Sequence, residues 1–461
     1  MKSIWNETTE IFPSEPLTRD ITADVVVIGG GMAGILTAYY LQEQGVDVVV
    51  LEANCIGSGQ TEDTTAKITS QHSLIYDRLI REWGEQKARQ YAQANQEAVV
   101  AYANLVKKLG IDCEFQRKPA YLYTLSDSEV LEREAHAAKR LGIEAKVTTQ
   151  TTLPFPVQGA LMFPDQAMFH PLKFLTAVAE HITIYAETKV EGVEKMSVFT
   201  GRHTVRAKHL IFASHYPFVN IPGFYFARMH QERSYVLALE QAGHLDGMYI
   251  GVDKDASWSM RNTGNLLLFG GGNHRTGENK SGGKYAELEK QARNFWPVSR
   301  EVARWSAQDC ITLDGIPYIG NFSKTRPDWY VATGFGKWGM SSSMVAARII
   351  SDAIVGQTNI YKEVFSPQRL WKWRTIQNFL KEGRYAAVGL TKGIFTEKIE
   401  DVKEHAGIGR GPRCAHMGCK LEWNPDEGIW ECPCHGSRFQ ADGEIIDNPA
   451  NQTLSDETSS L

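Results

Sequence analysis

The sequence predicts an α/β protein that contains more than one domain. Three observations lead to this prediction. The chain has 461 residues, whereas single hydrophobic cores stop growing near about 250–300 residues. A strand, a glycine-rich turn, a helix and a second strand follow one another between residues 24 and 52. Four of the seven cysteines lie within residues 414–434, which indicates a separate small unit at that end of the chain.

The first unit is a Rossmann-like strand–helix–strand motif. Residues 24–28, DVVVI, are a continuous apolar run, which is typical of a buried parallel strand. The helix MAGILTAYYLQEQG ends at Gly45, and the second strand is VDVVVLE. Between the first strand and the helix, Gly29, Gly31 and Gly34 have the spacing G-x-G-x-x-G. The surrounding elements make this spacing specific.

This spacing predicts a dinucleotide site. Gly29 permits the tight turn, Gly31 lets the backbone approach a pyrophosphate, and Gly34 lets the helix pack against the sheet. The N–H groups at the helix N-terminus attract phosphates, and Glu52 can accept hydrogen bonds from a ribose. The loop alone does not distinguish FAD from NAD. A second glycine-rich stretch, ATGFGKWGM (332–340), favours FAD, which needs another close backbone approach near its flavin.

The rest of the chain is predicted to contain both helices and short strands. Residues 74–110 carry apolar residues at helical spacing and end at Gly110. Short strands are predicted at AYLYTL, HLIFAS and NLLLFGGG, and the glycine stretch after WYVAT leads into the helix SSSMVAARIISDAIVG. These segments lie between the dinucleotide motif and the cysteines.

Composition excludes several classes of protein. The formal net charge of −5 argues against a nucleic-acid partner, which needs clustered basic residues. The N-terminal residues lack a basic segment followed by an apolar run, and no stretch of about 18 apolar residues is present. We therefore expect no membrane span and a cytoplasmic location. Cys55, Cys113 and Cys310 are scattered, which argues against a disulfide framework.

The C-terminal cysteines form two matched sequence boxes. One contains Cys414 and His416 as C-x-H, and the other contains Cys432 and His435 as C-x-x-H. Two cysteines and two histidines are the ligands of a Rieske [2Fe–2S] cluster. A structural zinc site is the alternative, although zinc favours C-x2-C or H-x3-5-H pairs within one tetrahedron.

The chain resembles a known family through several motifs taken together. GSGQTEDTTAKITSQH (57–72), DGIPYIG (314–320) and TGFGKWGM (333–340), with the dinucleotide loop, are similar to the D-amino-acid-oxidase or glycine-oxidase-like FAD oxidoreductases. Within them the chain looks most like bacterial members with a C-terminal Rieske domain. The resemblance implies a Rossmann-like FAD-binding domain, a discontinuous antiparallel substrate domain (α+β) and a small all-β Rieske domain. The implied boundaries are 1–90, 180–220 and 310–360 for FAD, 91–179 and 221–309 for substrate, 361–394 for a helical linker, and 395–461 for the Rieske domain.

The resemblance also implies individual binding residues. For FAD these are Gly29, Gly31, Ala33, Gly34, Glu52, Thr65, Ala66, Lys67, Val190, Gly336, Trp338, Gly339 and Met340. The boxes CAHMGC and CPCHGS look like those of Rieske proteins in quinol-oxidising complexes. They imply Cys414, His416, Cys432 and His435 as cluster ligands, and a disulfide between Cys419 and Cys434.

Two departures from the Rieske pattern stand out. Few residues precede the first box, so we expect a shortened domain within 395–461 that depends on the flavoprotein body for its core. Ser437 matches a serine that hydrogen-bonds a cluster sulfur, but Phe439 replaces the expected tyrosine. Because hydrogen bonds to the sulfurs raise the potential, we expect a lower potential than in quinol-oxidising relatives. Potentiometry of Phe439→Tyr tests this, because the substitution should raise the potential.

The substrate side carries weaker signals. Arg261 could clamp a carboxylate, with an ion pair as the alternative role, and Lys337 and Trp338 follow the second glycine stretch as further catalytic candidates. Ser341 stands where sarcosine-oxidase-like relatives have a lysine, and its presence argues against the interpretation of the protein as a simple oxidase. Tyr249 and His274 are further candidates to face the flavin; the alternatives are a packed aromatic for Tyr249 and a loop residue for His274. His72 is a candidate for covalent flavin attachment.

The predicted function is an FAD-dependent dehydrogenase that oxidises a small amine or amino-acid-like substrate. Electrons would be relayed between the flavin and the Rieske [2Fe–2S] cluster, with an unidentified electron-transfer partner. One alternative is an oxidase that uses O2 and has a structural cluster. Another is an electron-transfer or redox-sensing flavo-iron–sulfur protein without a substrate of its own. A flavin-dependent hydroxylase fed by the cluster is a third alternative, without a motif of its own.

Overall fold

The structure is a computed structural model that describes residues 2–11, 14–395 and 412–454. The predicted shortened base of the Rieske domain falls mostly on residues 396–411, which lie outside the described residues.

A six-stranded sheet carries the dinucleotide motif. Its central strands, Val25–Ile28 and Val48–Leu51, pair in parallel and are fully buried. Valine and isoleucine suit strands that are covered on both faces. The spatial order is Tyr318–Ser323, Arg326–Thr333, His209–Phe212, Val25–Ile28, Val48–Leu51 and Thr183–Tyr185.

A second, larger sheet is mostly antiparallel and forms the other half of the body. Its long neighbours Met229–Glu240 and Arg300–Thr312 pair along their whole length. The spatial order is Arg300–Thr312, Met229–Glu240, Leu266–Arg275, Ser259–Thr263, Met248–Gly251, Gln116–Thr124, Gly159–Met168 and Lys67–Ile68, with Lys146–Thr148 paired to Gly159–Met168. Strand Lys67–Ile68 follows the dinucleotide motif closely in sequence, so the chain crosses between the two sheets there.

A small sheet lies beside the dinucleotide domain. Its order is Ile21–Thr22, Thr204–Arg206, Ser197–Phe199 and Gly192–Glu194. The described helices are Ile4–Glu7, Met32–Glu43, Tyr76–Trp83, Glu85–Leu109, Glu129–Leu141, Pro171–Ala179, Lys284–Phe295, Gly339–Ile354, Lys362–Phe365 and Trp373–Phe395, with a 3₁₀ turn at Tyr225–Ala227.

The predicted helix over 74–110 is interrupted. Two helices, Tyr76–Trp83 and Glu85–Leu109, meet at Gly84, which has φ of +81°. A glycine with a positive φ ends the first helix. The apolar periodicity of the sequence continues past this residue and gives no sign of the break. The prediction of one continuous helix is therefore wrong at this residue.

The C-terminal unit is a separate four-stranded antiparallel sheet. Its strands, in order, are Glu422–Asn424, Ile429–Glu431, Arg438–Phe439 and Ile445–Asp447. The fold class predicted from the sequence is confirmed: a mixed α/β body and a small all-β C-terminal domain. Among the described residues, no helix has the length and apolar character needed to cross a bilayer.

Candidate functional site

The dinucleotide loop is fixed by hydrogen bonds to its own backbone. The Glu52 carboxylate accepts from the Gly30 N–H at 2.6 Å and from the Asn54 N–H at 2.9 Å. The hydroxyl of Thr61 accepts from the Met32 N–H at 3.1 Å. Burial raises the pKa of Glu52. The loop that supplies Thr61 therefore closes over the start of the helix.

The motif glycines leave no room for side chains. A Cβ at Gly34 would overlap the carbonyl oxygen of Gly29, and a Cβ at Gly29 would overlap Ala213. Gly29 also has φ of +114°, in the region that favours glycine. A Cβ at Gly31 would lie 3.3 Å from the Thr61 hydroxyl. The loop thus forms a close-packed cradle that fits a pyrophosphate against the helix N-terminus.

A cavity of about 660 Å³ opens above this loop. The predicted FAD residues that line it are Gly29, Gly31, Ala33, Glu52, Val190, Gly339 and Met340. The opposite wall comes from the C-terminal domain and includes Glu427, Ile429, Arg438, Gln440, Asp447 and Asn448. The cleft above the dinucleotide loop is therefore bounded by both domains. A second cavity, of about 560 Å³, lies among helices and is lined by none of the predicted site residues.

Thr65, Ala66 and Lys67 lie where the chain enters the large sheet. The Lys67 ammonium donates to the hydroxyls of Ser259 and of Thr65, the latter at 3.2 Å. Burial, together with the nearby Arg261 charge, lowers the pKa of Lys67 to about 7. Lys67 is therefore poised to gain or lose a proton near neutral pH.

The second glycine stretch leaves Trp338 half-buried and Lys337 exposed. The Trp338 ring stacks on His72 at 4.8 Å between centroids. Both ring nitrogens of His72 have partners: Tyr91 hydroxyl at 2.6 Å, and Ser341 hydroxyl at 2.9 Å. Burial lowers the pKa of His72 to about 3, so its imidazole is neutral. This geometry gives His72 a packing partner and two hydrogen bonds.

The catalytic candidates Lys337 and Arg261 have different polar partners. The Lys337 ammonium donates to Asn273 at 2.6 Å and lies 3.6 Å from a Glu232 oxygen. Arg261 is 1% exposed, lies over the Trp5 ring, and donates to the carbonyls of Ala66 and Phe169 at 3.3 Å. Asn273 lies on strand Leu266–Arg275, which pairs with the Arg261 strand, Ser259–Thr263.

Tyr249 and His274 have structural partners. The Tyr249 ring stacks on Tyr121 at 4.5 Å and its hydroxyl donates to Asp246. His274 stacks on Tyr235 at 5.7 Å. Tyr249 is thus packed against another aromatic ring, and His274 lies on strand Leu266–Arg275 and stacks on a tyrosine.

The four predicted cluster ligands come together at the tip of the C-terminal domain. The thiols of Cys414 and Cys432 are buried and close enough to hydrogen-bond each other. The rings of His416 and His435 have centroids 5.0 Å apart. The Nδ1 atoms of both rings are buried, and neither has a hydrogen-bond partner among the described residues. Two thiols beside two unpartnered imidazole nitrogens fit a [2Fe–2S] cluster with mixed ligands.

The disulfide implied by the resemblance is present between Cys419 and Cys434. The sulfurs of Cys419, Cys432 and Cys434 lie within 4.8 Å of one another, but the disulfide occupies two of them. Those three sulfurs are therefore not a thiolate metal site, and the donor set remains Cys414, Cys432 and the two histidines. A single tetrahedral zinc ion would not explain why two loops each supply one cysteine and one histidine and are joined by a disulfide.

Ser437 and Phe439 adjoin this site. The Ser437 hydroxyl accepts from the Ala450 N–H at 3.0 Å and hydrogen-bonds the Cys414 sulfur, which lowers the pKa of that thiol. Phe439 is fully buried in the small domain core. The lower potential expected from Phe439 stays a prediction.

A buried chain of three glutamines joins the cluster loop to the FAD cleft. The Gln231 amide donates to the His435 carbonyl at 2.8 Å, and the Gln308 amide donates to Gln231 at 2.6 Å and to the Gly436 carbonyl at 2.9 Å. The backbone N–H of Gln308 donates to the side-chain oxygen of Gln60 at 2.7 Å. Gln60 lines the cleft, and its amide nitrogen is buried without a hydrogen-bond partner among the described residues.

Charged side chains reinforce this interface. Arg233, fully buried, pairs with Glu427 and lies 3.3 Å from Glu431. Arg275 donates to the carbonyls of Pro433 and Cys434, both at 3.3 Å. Buried charges are tolerated when they are paired, so these contacts hold the cluster domain in one position on the body.

The histidine edge of the cluster site is covered by the body. The His416 Nε2 atom lies 2.8 Å from the Asn220 side-chain oxygen. The Phe226 ring packs edge-on against His416 and His435, at 6.2 and 5.7 Å between centroids. Desolvation lowers the pKa of His416 to about 4. This edge of the cluster site therefore faces the flavoprotein body.

The fold and these two sites define a class of protein: a flavin oxidoreductase fused to a Rieske domain. Residues 24–353 match the family of FAD dependent oxidoreductases, and residues 403–457 match the Rieske [2Fe-2S] domain. The chain belongs to this FAD-dependent oxidoreductase family and carries a Rieske domain at its C-terminal end. Its cofactors are FAD and a [2Fe–2S] cluster.

Relatives resemble the whole chain or its parts. YhfW of Bacillus subtilis (strain 168), named as a Rieske 2Fe-2S iron-sulfur protein, is 37% identical over 98% of this chain and 97% of its own length. Gamma-glutamylputrescine oxidoreductase of Escherichia coli (strain K12) is 24% identical over 75% of this chain and 86% of its own. Glycine oxidase from Geobacillus kaustophilus shares the fold, with a TM-score of 0.63, 18% identity and coverage of 76% of this chain and 99% of that one.

Sequence reasoning missed the residues of the interface. Gln60 and Thr61 lie inside the motif 57–72, so that motif could have drawn attention to them. Asn220, Gln231 and Gln308 carry no sequence signal, because isolated polar residues in strands and loops usually face water.

Proposed function

We propose that the protein is an FAD-dependent dehydrogenase that oxidises a small amine or amino-acid-like substrate and relays the electrons between its FAD and its Rieske cluster. The observation that carries this proposal is the cleft lined by both the dinucleotide loop and the C-terminal domain. A domain with a purely structural role would not need to supply one wall of this cleft.

The buried glutamine chain supports electron transfer within one molecule. Gln231 and Gln308 are 1% and 0% exposed, and they connect the His435 loop to Gln60 at the cleft. The coverage of the histidine edge by Asn220 and Phe226 supports the same view. In this position the edge is shielded from large external partners, so the nearest redox partner is the body itself.

The large sheet offers a site for a substrate that carries a carboxylate. Lys67 is half-buried and Arg261 is buried, and the Arg261 charge is close enough to help lower the pKa of Lys67. Burial lowers the pKa of Arg261 to about 9. Buried cations are stabilised by an anionic ligand, and the amine and amino-acid enzymes among the relatives bear names consistent with this class.

The chain's own residues also offer proton transfer. Above about pH 7 the amine of Lys67 is neutral and can accept a proton from an ammonium substrate, which must be neutral before its C–N bond is oxidised. FAD, when bound, supplies hydride acceptance. Ser259 and Thr65 orient the Lys67 nitrogen through hydrogen bonds.

The test is an anaerobic titration of the purified holoprotein with a panel of amines and amino acids. The visible absorbance of the flavin and the EPR signal of the reduced cluster are followed together. We expect one member of the panel to bleach the flavin and to produce the cluster signal. Flavin bleaching without any cluster signal, with one peroxide formed per turnover in air, would instead identify an oxidase with a structural cluster.

A further inference from the structure

The linker helix Trp373–Phe395 exposes an apolar stripe to solvent. Trp373, Ile376 and Leu380 are 72%, 37% and 66% exposed. They stand at positions i, i+3 and i+7, which share one face of a helix. Leu370, just before the helix, is 83% exposed. Single exposed apolar residues are ordinary, but a contiguous row of them marks an interaction surface.

Basic side chains border this stripe. Lys372, Arg374, Lys381 and Arg384 are exposed, although the whole chain has a net charge of −5. The segment 366–385 contains a single acidic residue, Glu382. That side chain turns inward and pairs with Arg275 at 2.6 Å and His230 at 3.3 Å. The outward face is therefore apolar and cationic at once.

We propose that this face, from Leu370 to Tyr385, docks the protein on the surface of an anionic lipid bilayer. Tryptophan and leucine beside lysine and arginine are the composition of helices that lie in the headgroup region. Anionic headgroups are attracted by each basic residue near the surface. The opposite charges of the face and the headgroups supply the complementarity that selects a lipid surface.

A second copy of the chain is a poorer occupant. A twofold interface places the same patch on both subunits. The basic side chains would then meet like charges, although Arg374 is already paired with Glu82 at 3.2 Å. The inner face of the same helix is linked to the cluster domain through Arg275 of the body, which pairs with Glu382 and donates to the carbonyls of Pro433 and Cys434. Docking through the outer face would therefore bring the cluster domain to the membrane.

The experiment is co-sedimentation of the full-length holoprotein with vesicles. The vesicles are made of phosphatidylcholine alone or with phosphatidylglycerol, at low and high salt. Three variants are compared with the wild type: Trp373→Ser with Leu380→Ser, Lys381→Gln with Arg384→Gln, and the control Val298→Ser with Ile360→Ser, whose side chains are 74% and 63% exposed elsewhere on the body. Cluster absorbance and thermal unfolding show that each variant is folded.

We expect binding to the anionic vesicles that weakens at high salt, and no comparable binding to the neutral ones. Removal of two basic residues should weaken it by about thirtyfold, the apolar variant should lose it, and the control should bind like the wild type. Equal binding by all variants, equal binding to neutral vesicles, or no binding would overturn the proposal. So would a wild-type dimer that the Trp373→Ser, Leu380→Ser variant dissociates, because the face would then be a self-interface.

Discussion

The two cofactor sites are held in place by different physical means. Around the dinucleotide loop, the strands Val25–Ile28 and Val48–Leu51 are wholly buried and apolar. The C-terminal domain has a core of few side chains, and polar and charged groups such as Gln231, Arg233 and Arg275 bind it to the body. The first site is stabilised by local packing, and the second depends on contacts between residues about 200 positions apart in sequence.

The largest expected effect comes from removing the buried charge at the interface. Arg233→Met leaves Glu431 without its cation and leaves Glu427 with only the longer contact to Arg438, at 3.5 Å. Breaking a buried pair costs about 3–5 kcal/mol. We expect loss of the cluster from the purified protein and a separate, earlier unfolding transition of the C-terminal domain. Calorimetry with iron analysis measures both. Arg300→Ala removes an exposed pair with Glu240 and should change little; equal effects of the two substitutions would contradict the comparison.

The next largest effect is expected at Gly277, where the body lies close to Pro433 of the C-terminal domain. A Cβ at Gly277 would lie 2.8 Å from Pro433, so Gly277→Ala should destabilise the docked domain by about 1–3 kcal/mol through overpacking. Gly264 is the matched control, because it also has a positive φ but nothing within 4 Å of a Cβ. Cluster retention and urea unfolding distinguish the two. If Gly264→Ala were as damaging, backbone strain rather than domain contact would explain the result.

The dinucleotide side is tested by Gly31→Ala. The added Cβ would lie 3.3 Å from the Thr61 hydroxyl and narrow the cradle. We expect FAD affinity to fall by about tenfold, which corresponds to about 1.4 kcal/mol, while the cluster stays bound. Fluorescence titration of the apoprotein with FAD measures the affinity. Gly192→Ala, where a Cβ meets nothing within 4 Å, should bind FAD normally, and cluster loss in Gly31→Ala would contradict independent stabilisation.

The last effect concerns pH and is spread over several pH units. The pKa of Lys67 is about 7 in the folded chain, against an ordinary value of 10.5. Between these values the unfolded chain binds a proton that the folded chain does not, so stability should rise with pH from about 7 and be lower below it. Lys67→Met should flatten this rise in urea unfolding at several pH values. An unchanged slope would show that Lys67 is solvated in the folded protein.

The sequence predicted what depends on local pattern. The glycine spacing, the buried strands and Glu52 identified the dinucleotide unit, because each requirement lies within 30 residues of chain. The four cluster ligands were likewise grouped by their spacing. The break at Gly84 was missed, since apolar periodicity continues through it. The covering of His416 by Asn220 could not be predicted, because neither residue's neighbours in sequence specify a contact across domains.

The central claim is that electrons move between FAD and the cluster inside one molecule. The direct measurement is flash photoreduction of the flavin in the anaerobic holoprotein, followed by the appearance of the reduced-cluster absorbance at several protein concentrations. The account predicts a first-order rate that does not depend on protein concentration and is slower in Gln308→Leu, which breaks the bonds to Gln231 and Gly436. A rate proportional to protein concentration, or a cluster that stays oxidised, would contradict it.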